Sequence, residues 1–464
     1  MVAAGRTSSP DFWTNASVRN LVGNDDPVAV VVAAARSLVV SALDDGWTGP
    51  PYDPIVLADR LKVPVVPRDD VFDARLVPVG EASVQIEYNP SRPVGRRRFS
   101  LAHEVAHLLF PDHRNAIRNR AKTDRGAGDD WQLEALCNLA AAEFVMPVGS
   151  FYQLASGNLD LRELLELRLR FDVSTEALLL RATRLSSEPA AVFAASRTEP
   201  DGRTGRYRVD YTISSSGWDP TVRLGGVVVD SAIAECAAIG FTAHGQGERW
   251  PGSTDLLRVD AVGIPPYPGH RLPRVVGLLR PSEPTKHPRL QPVYLVGDAL
   301  SPRGTGNRLI VHVVNDRARH WKGAFANSLR ARWPAAASAF TAWVDEDRRH
   351  LRLGSVHMTH VDTDLWTAAL VAQAGYGPAA KPRVRYSALR AALAEVADWA
   401  VEHSASVHMP RIATGQAGGT WAVVRELVDS ELCGRGVPVS VYDLPGQRTP
   451  DIQGVLALDD TALP

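Results

Sequence analysis

The sequence predicts a multidomain protein of α+β and α/β class, with a mainly helical N-terminal region, a small α/β middle domain and a C-terminal α/β/α domain. Three observations predict it. At 464 residues the chain exceeds what one hydrophobic core organises. Its apolar periodicity is helical through about residue 185, breaks into short alternating runs between about 190 and 280, then alternates strand-like and helix-like segments to about residue 444. Its composition, 45% hydrophobic and 22% charged, is that of a folded chain rather than a disordered or fibrous one.

Lys plus Arg (51) and Asp plus Glu (52) nearly cancel, which excludes nucleic-acid or membrane-surface binding driven by net charge and leaves only local patches. Cys137, Cys236 and Cys433 lie far apart in apolar contexts, so neither a disulfide framework nor a thiolate zinc knuckle is expected, and buried thiols are. The first residues show no basic-then-apolar signal pattern, and the longest uninterrupted apolar run, Val28 to Ala35, is too short to span a bilayer. A cytoplasmic protein without a membrane partner is the expectation.

Residues 1–25 read as a flexible arm. Asp26 and Pro27 then supply an N-cap and a pre-set first turn for a helix to about Leu43. A short helix fits Asp53 to Leu61, a strand Ala82 to Tyr88, and a helix about Arg96 to Phe110 that ends at Pro111. His113 to Asp130 is polar and reads as a mobile loop. Trp131 to Val145 reads as a long helix stopped by Pro147 and Gly149. Two more helices fit Leu161 to Leu185, with Ser174 as the N-cap of the second; the pair is similar to half of a helix-turn-helix, but no basic face accompanies it. Strand patterns follow at Tyr207 to Ile213 and Leu256 to Val262, with one helix around Asp230 to Ala238. Arg280 to Pro292 is Pro-rich and reads as a linker. The expected division is an arm (1–25), a helical domain (26–188), a middle domain (189–282), a C-terminal domain (283–447) and a tail (448–464).

The helix from Arg96 contains His103-Glu104-Val105-Ala106-His107. Two histidines four apart share one helix face, where their imidazoles can hold one cation, and Glu104 sits one step round, placed to take a proton from water at the metal. The flanking Leu101, Ala102, Val105, Ala106, Leu108 and Leu109 predict a buried helix, and burying His, Glu and His together is costly unless they are paired or bound to metal. A catalytic zinc needs a third protein ligand. In the helix after Trp131 an inward stripe of Leu133, Leu136, Cys137, Ala140, Ala141 and Phe144 carries Glu134 and Asn138 on its edge, which makes Glu134 the candidate; a solvated acid at the helix start is the alternative.

This order of motifs, Arg-Arg-Arg-Phe-Ser-Leu-Ala before His103-Glu104 and then Glu134-Ala-Leu-Cys-Asn-Leu-Ala-Ala-Ala-Glu-Phe-Val-Met-Pro147, resembles the ImmA/IrrE zinc metallopeptidases over about residues 28 to 188. The resemblance implies a zincin-like domain with an HTH-like helical end. It also implies Zn2+ held by His103, His107 and Glu134, and Glu104 as base for one or few cuts in a regulatory protein, often a repressor. The middle domain, with Arg274-Val275-Val276-Gly277-Leu278, occupies the place of the GAF-like region of some members.

Further on, a strand Ser406 to Ile412 runs into Ala413-Thr414-Gly415-Gln416-Ala417-Gly418-Gly419, where Thr420 can cap a helix Trp421 to Leu432. Such a loop exposes backbone N–H groups at a positive helix end and suits a diphosphate, although a tight turn has the same composition. A second strand, Leu309 to Val314, enters Asn315-Asp316 and then Lys322-Gly323-Ala324-Phe325-Ala326 at a helix start. With Val296-Gly297-Asp298 ahead and Val439 to Leu444 as a closing strand, residues 290 to 446 resemble a macrodomain, the ADP-ribose-binding fold. The resemblance implies that Asp298 holds the adenine amino group and that loops 322–326 and 412–419, from Ile412 on, hold diphosphate and distal ribose. The catalytic Lys and Asp of the glycohydrolase branch fall on Gln373 and Ala417, which favours binding over hydrolysis; Asn315 and Asp316 leave another hydrolytic arrangement open.

The leading expectation is a zinc endopeptidase controlled or directed by ADP-ribose or a related NAD-derived ligand, free or on a macromolecule, in stress response or defence against phages and other mobile elements. The alternatives are an ADP-ribosyl-processing hydrolase and a non-catalytic regulator with a structural zinc, for which direct nucleic-acid contact is not expected.

Overall fold

The computed structural model describes residues 13–444 apart from 81–82, 114–117, 120–128, 152–159, 187, 199–205, 216–217, 237, 267–271, 283–289, 378 and 380. The first twelve residues of the arm, most of the expected 113–130 loop, part of the linker and the whole tail lie outside that set. Contacts divide the chain into two compact units, Met1–Leu290 with Ala422–Leu427 and Gln291–Trp421 with Val428–Pro464.

In the first unit, order begins earlier than residue 25. Helix α1 (Ala16–Val22) starts at Asn15, whose Oδ1 accepts from Ser17 N and Val18 N. The backbone N–H groups of Thr14 and Asn15 both donate to Gln132 Oε1, which ties this segment down. Helix α2 (Pro27–Asp44) has the expected cap, with Asp26 accepting from Ala29 N. It differs from expectation in one respect: at 18 residues and mean hydropathy 1.7 it is long and apolar enough to cross a membrane by length and composition, because Arg36 and Ser37 interrupt the apolar run but not the helix. It nevertheless buries Val31, Val32, Ala35 and Val39, as a core helix does.

Helix α3 (Ile55–Arg60) precedes a four-stranded sheet of β1 (Val65–Pro67), β2 (Ala74–Val79), β3 (Ser83–Tyr88) and β4 (Arg118–Asn119), in the order β1-β3-β2-β4. Helix α4 (Val94–His107) packs on β2 and β3 and on α5 (Asp130–Val145). The sequence stripe on α5 proves too narrow. Every residue from Gln132 to Val145 is buried, because α2, α4 and a third helix all pack around it. Helices α6 (Leu161–Phe171) and α7 (Thr175–Leu185) follow, with Ser174 accepting from Ala177 N as the cap of α7. Arg36 on α2 and Arg181 on α7 converge on Glu143 of α5 at 3.4 and 3.1 Å. Burial works against ionisation of Glu143, but Arg181 and Arg36 hold its carboxyl below the usual carboxylate range.

The same unit contains a six-stranded antiparallel sheet of β5 (Ala191–Arg197), β6 (Tyr207–Ser214), β7 (Val227–Val228), β8 (Thr242–Glu248), β9 (Leu257–Ile264) and β10 (Arg274–Pro281), in the order β7-β6-β5-β10-β9-β8. The helix expected over Asp230 to Ala238 is only a 3-10 turn, Ala232–Glu235, since Ser231 accepts from Ile233 N and Ala232 N donates to Glu248 Oε1. The linker begins later than Arg280, because Arg280 and Pro281 still pair with Arg258 and Leu257. Helix α7 packs on α5 and on β5, β6 and β10, and Thr175 to Leu185 are nearly all buried. It is therefore unavailable as a DNA-recognition helix.

The second unit is built on β11 (Val293–Val296), β12 (Arg308–Asn315), β13 (Val356–Asp362), β14 (Leu365–Gln373), β15 (Ser406–Pro410) and β16 (Val439–Asp443). The order is β11-β16-β15-β12-β14-β13, parallel except for β13 against β14. The expected closing strand is thus β16, one place in from an edge that β11 occupies. Helices α8 (Ala324–Arg332) and α9 (Pro334–Glu346) bury Leu329, Phe340 and Val344 against Ile310, Val314, Ala369 and Val371. Helix α10 (Tyr386–Glu402) and helix α11 (Trp421–Glu431), of which Ala422–Leu427 counts with the first unit, complete an α/β/α region. Thr420 precedes α11 in extended conformation but makes no side-chain cap; its N–H instead donates to Tyr386 Oη at 2.8 Å.

Candidate metal centre and strand-edge loops

Helix α4 is fixed by the arginines that precede its histidines. Arg96 makes a two-pronged contact with Asp73, Arg98 pairs with Asp172 at 2.8 Å, and Arg97 donates to Pro90 O. The triple-arginine run is therefore spent on anchoring the helix and is not a basic docking face.

Two turns further along α4, His103, Glu104 and His107 are 0%, 0% and 2% exposed, as their apolar neighbours predict. Ligand atoms of His103, His107 and Glu134 all lie within 4.8 Å of one another. Glu134 does not point to solvent: its Oε2 is 3.0 Å from His103 Nε2 and its Oε1 is 3.7 Å from His107 Nε2. The ring centroids are 5.0 Å apart and inclined at 74°.

Helix α5 contributes more than the carboxylate. His103 Nδ1 lies 2.8 Å from Asn138 Oδ1, and His107 Nδ1 lies 3.4 Å from Cys137 Sγ. The contacts of Asn138 Oδ1 and Cys137 Sγ at the two Nδ1 atoms orient both rings with Nε2 turned toward Glu134. Two imidazoles and one carboxylate, buried and convergent, are a donor set suited to zinc. The set fits the ion through chemistry as well as spacing. Sequence reasoning placed Asn138 on the stripe edge and Cys137 in the core without assigning either a part. The available signal was their spacing from Glu134, four and three residues, which is one helical turn.

In the second unit all parallel strands end on one edge, and the other expected residues gather there. Asp298 follows β11, and its Oδ1 accepts from Leu300 N at 2.9 Å. Asn315 closes β12 and accepts from Arg317 N; Asp316 N donates to Gln373 O. Loops 322–326 and 412–419 are neighbours, since a methyl added at Gly323 would come within 3.8 Å of Gln416 Oε1. Gly323 has φ +115°, which opens the chain ahead of α8 without a Cβ in the way. The second loop folds back on itself through Gly419 N to Ala413 O and Gly418 N to Gly415 O, while Ala417 O accepts from Arg383 N and Val384 N. Asp298 is the outlier of the set, two strand positions from the 412–419 loop, about 10 Å at ordinary strand spacing.

Two buried histidines, His312 on β12 and His408 on β15, belong to the same sheet. Burial pushes His312 down to about 3, with His357 adding to it, and burial with Arg308 pushes His408 down to about 4. Both are therefore neutral at physiological pH. His312 packs edge-on against Trp321 at 4.8 Å, and neither of its ring nitrogens has a hydrogen-bond partner among the described residues.

Residues 59–183 match a family model described as the IrrE N-terminal-like domain. The chain is similar to the radiation response metalloprotease IrrE of Deinococcus deserti, 31% identical over 147 residues, which is 31% of this chain and 50% of the relative. It is also similar to the mouse chromodomain-helicase-DNA-binding protein 1-like, 30% identical over 165 residues, or 33% of this chain and 18% of the relative. The chain thus spans half or less of these curated relatives. Among solved structures, a macrodomain protein from Streptomyces coelicolor is 39% identical, covering 33% of this chain and 99% of that one, with a TM-score of 0.29. His103, Glu104, His107 and Glu134 match a zinc-protease active-site pattern, within the residues that the family model covers.

Proposed function

We propose that this chain is a cytoplasmic zinc-dependent endopeptidase that cleaves a regulatory protein, and that its C-terminal unit is a macrodomain whose ADP-ribose-type ligand controls or directs the cut. The observation that carries the peptidase reading is the convergence of His103, His107 and Glu134 next to a buried Glu104. A structural zinc site has no use for that additional group, a carboxylate placed beside the ligands inside the core.

His103 and His107 would hold the metal through Nε2 and Glu134 through its carboxylate. When bound, zinc polarises a peptide carbonyl and brings the pKa of water at the site toward neutrality. Glu104 takes the proton of the attacking water as general base and returns it to the leaving amine. Asn138 and Cys137 keep both imidazoles facing the site while the substrate enters.

The macrodomain reading rests on the α/β/α region with its strand ends on one edge and on the two adjoining small-residue loops. Backbone N–H groups there suit a diphosphate. Gln373 and Ala417, where the glycohydrolase branch has Lys and Asp, favour binding over turnover. Stress response or defence against mobile elements suits a protease under such control.

Proteolysis of proteins from the same cell, with and without ADP-ribose, tests both halves. Cleavage is expected to change with ligand and to fall at least about 100-fold in Glu104→Gln. Equal cleavage with and without ADP-ribose removes the coupling, and full activity in Glu104→Gln removes the peptidase mechanism.

A further inference from the structure

Beyond β12 and β14 the second unit has a cavity of about 450 Å³, lined among others by Asp316, Arg317, Gly375, Tyr376, Arg383 and Arg385. Its position follows from the strands: β12 and β14 are parallel neighbours, so the segments after Asn315 and after Gln373 leave the sheet side by side. Cavities of this volume are in the range of small-molecule and nucleotide sites.

The lining is built rather than incidental. Asp316 Oδ1 accepts from Gly375 N at 2.7 Å and pins the turn after β14. Gly375 and Gly377, at φ +65° and +85°, fold that turn back and hold Tyr376 at its tip, 70% exposed. Arg383 is oriented by backbone carbonyls, with Nε donating to Gly377 O and Nη1 to Ala374 O. Arg385 Nη1 donates to Pro382 O and Val384 O. Arg317 and Arg385 make no ion pair among the described residues. At Arg385 the carbonyls fix the guanidinium without neutralising it, and Asp316 in the lining accepts from the backbone N–H of Gly375.

Fixed guanidinium forks match phosphate oxygens. A bare aromatic ring beside them offers a stacking platform that accepts any base. We propose that this cavity holds the phosphate and stacked base of one nucleotide of a single-stranded nucleic acid. With a net charge of −1, the chain has no general affinity for polyanions, so the site is local. The inference goes beyond the ADP-ribose reading, and its cavity adjoins loop 412–419, because Arg383 N donates to Ala417 O.

Fluorescence anisotropy of the full chain with a labelled single-stranded RNA hexamer, and with the DNA hexamer of the same sequence, tests it at two salt concentrations. One or both strands are expected to bind, more weakly at high salt. Arg317→Ala and Tyr376→Ala, both at exposed positions, are each expected to weaken binding about tenfold, and excess ADP-ribose is expected to leave it in place. A protein that binds the hexamer but not ADP-ribose loses the macrodomain proposal and keeps this one. Absence of binding to either strand at low salt overturns the inference. So does binding that both substitutions leave unchanged while ADP-ribose displaces it, because the strand then occupies the neighbouring loops.

Discussion

The orientation of each imidazole at the metal centre is set from α5 rather than from the helix that carries it. Asn138 at 2.8 Å and Cys137 at 3.4 Å occupy the two Nδ1 atoms. Removing such a partner typically costs 10–100-fold in metal affinity, and Asn138→Ala is expected to fall in that range by chelator competition, with Glu104 and all three ligands intact. Undiminished affinity would reduce Asn138 to a packing role. His312 gives a second prediction. Its pKa is depressed to about 3 by burial, against about 6.5 in the unfolded chain, so the unfolded state binds the proton first as pH falls. Stability is at its full value above about pH 6.5 and declines as pH drops from there toward 3. His312→Phe should flatten that decline in denaturant midpoints of the second unit, and an unchanged pH slope would contradict the assignment. The two histidines of the candidate metal centre were legible because an i, i+4 histidine pair on an apolar helix is costly to bury unless a cation holds it, and Glu134 because it lies on the edge of an apolar helix stripe. Asn138, Cys137 and the arginines near Tyr376 were not, since their parts depend on partners thirty or more residues away or on strands that meet only in the sheet.

Among the elements, α5 shows where pattern reading stops. A helix surrounded by α2, α4 and α7 has no polar face to betray its orientation, so its length was legible and its burial was not. Glu143 on that helix answers Arg36 and Arg181 with side chains almost wholly buried. Glu143→Gln leaves those guanidiniums short of a buried charge partner, and a loss of about 3–5 kcal/mol is expected by urea denaturation. A loss below about 1 kcal/mol would show that the remaining partners suffice. In the six-stranded sheet, a Cβ at Gly277 would meet Asp260 O at 2.2 Å and the Phe193 ring at 2.8 Å. Gly277→Ala should therefore cost about 1–3 kcal/mol, because backbone of the neighbouring strand has to shift; a neutral substitution would mean that β9 and β10 separate freely. Caps at Asp26 and Ser174 were readable from local chemistry alone. The missing cap at Thr420 was not, because Tyr386 competes for its backbone from another helix.

At the scale of the chain, the sequence pattern changes near residue 280, whereas the compact units divide at Leu290 and Gln291, with Ala422–Leu427 counted in the first. The change near residue 190 does not divide the first unit, because α7 packs on both α5 and β10. A sequence shows where patterning changes, but not whether the pieces share a core. What joins the two chemistries is a proposal about ligand control, and all of it depends on the metal centre. Elemental analysis of the purified full chain by plasma mass spectrometry tests that centre most directly. Close to one zinc per chain is expected for the native protein and for Glu104→Gln, and a large loss for His103→Ala and Glu134→Ala. Native protein without metal, or zinc retained at full stoichiometry in both ligand variants, would contradict the account.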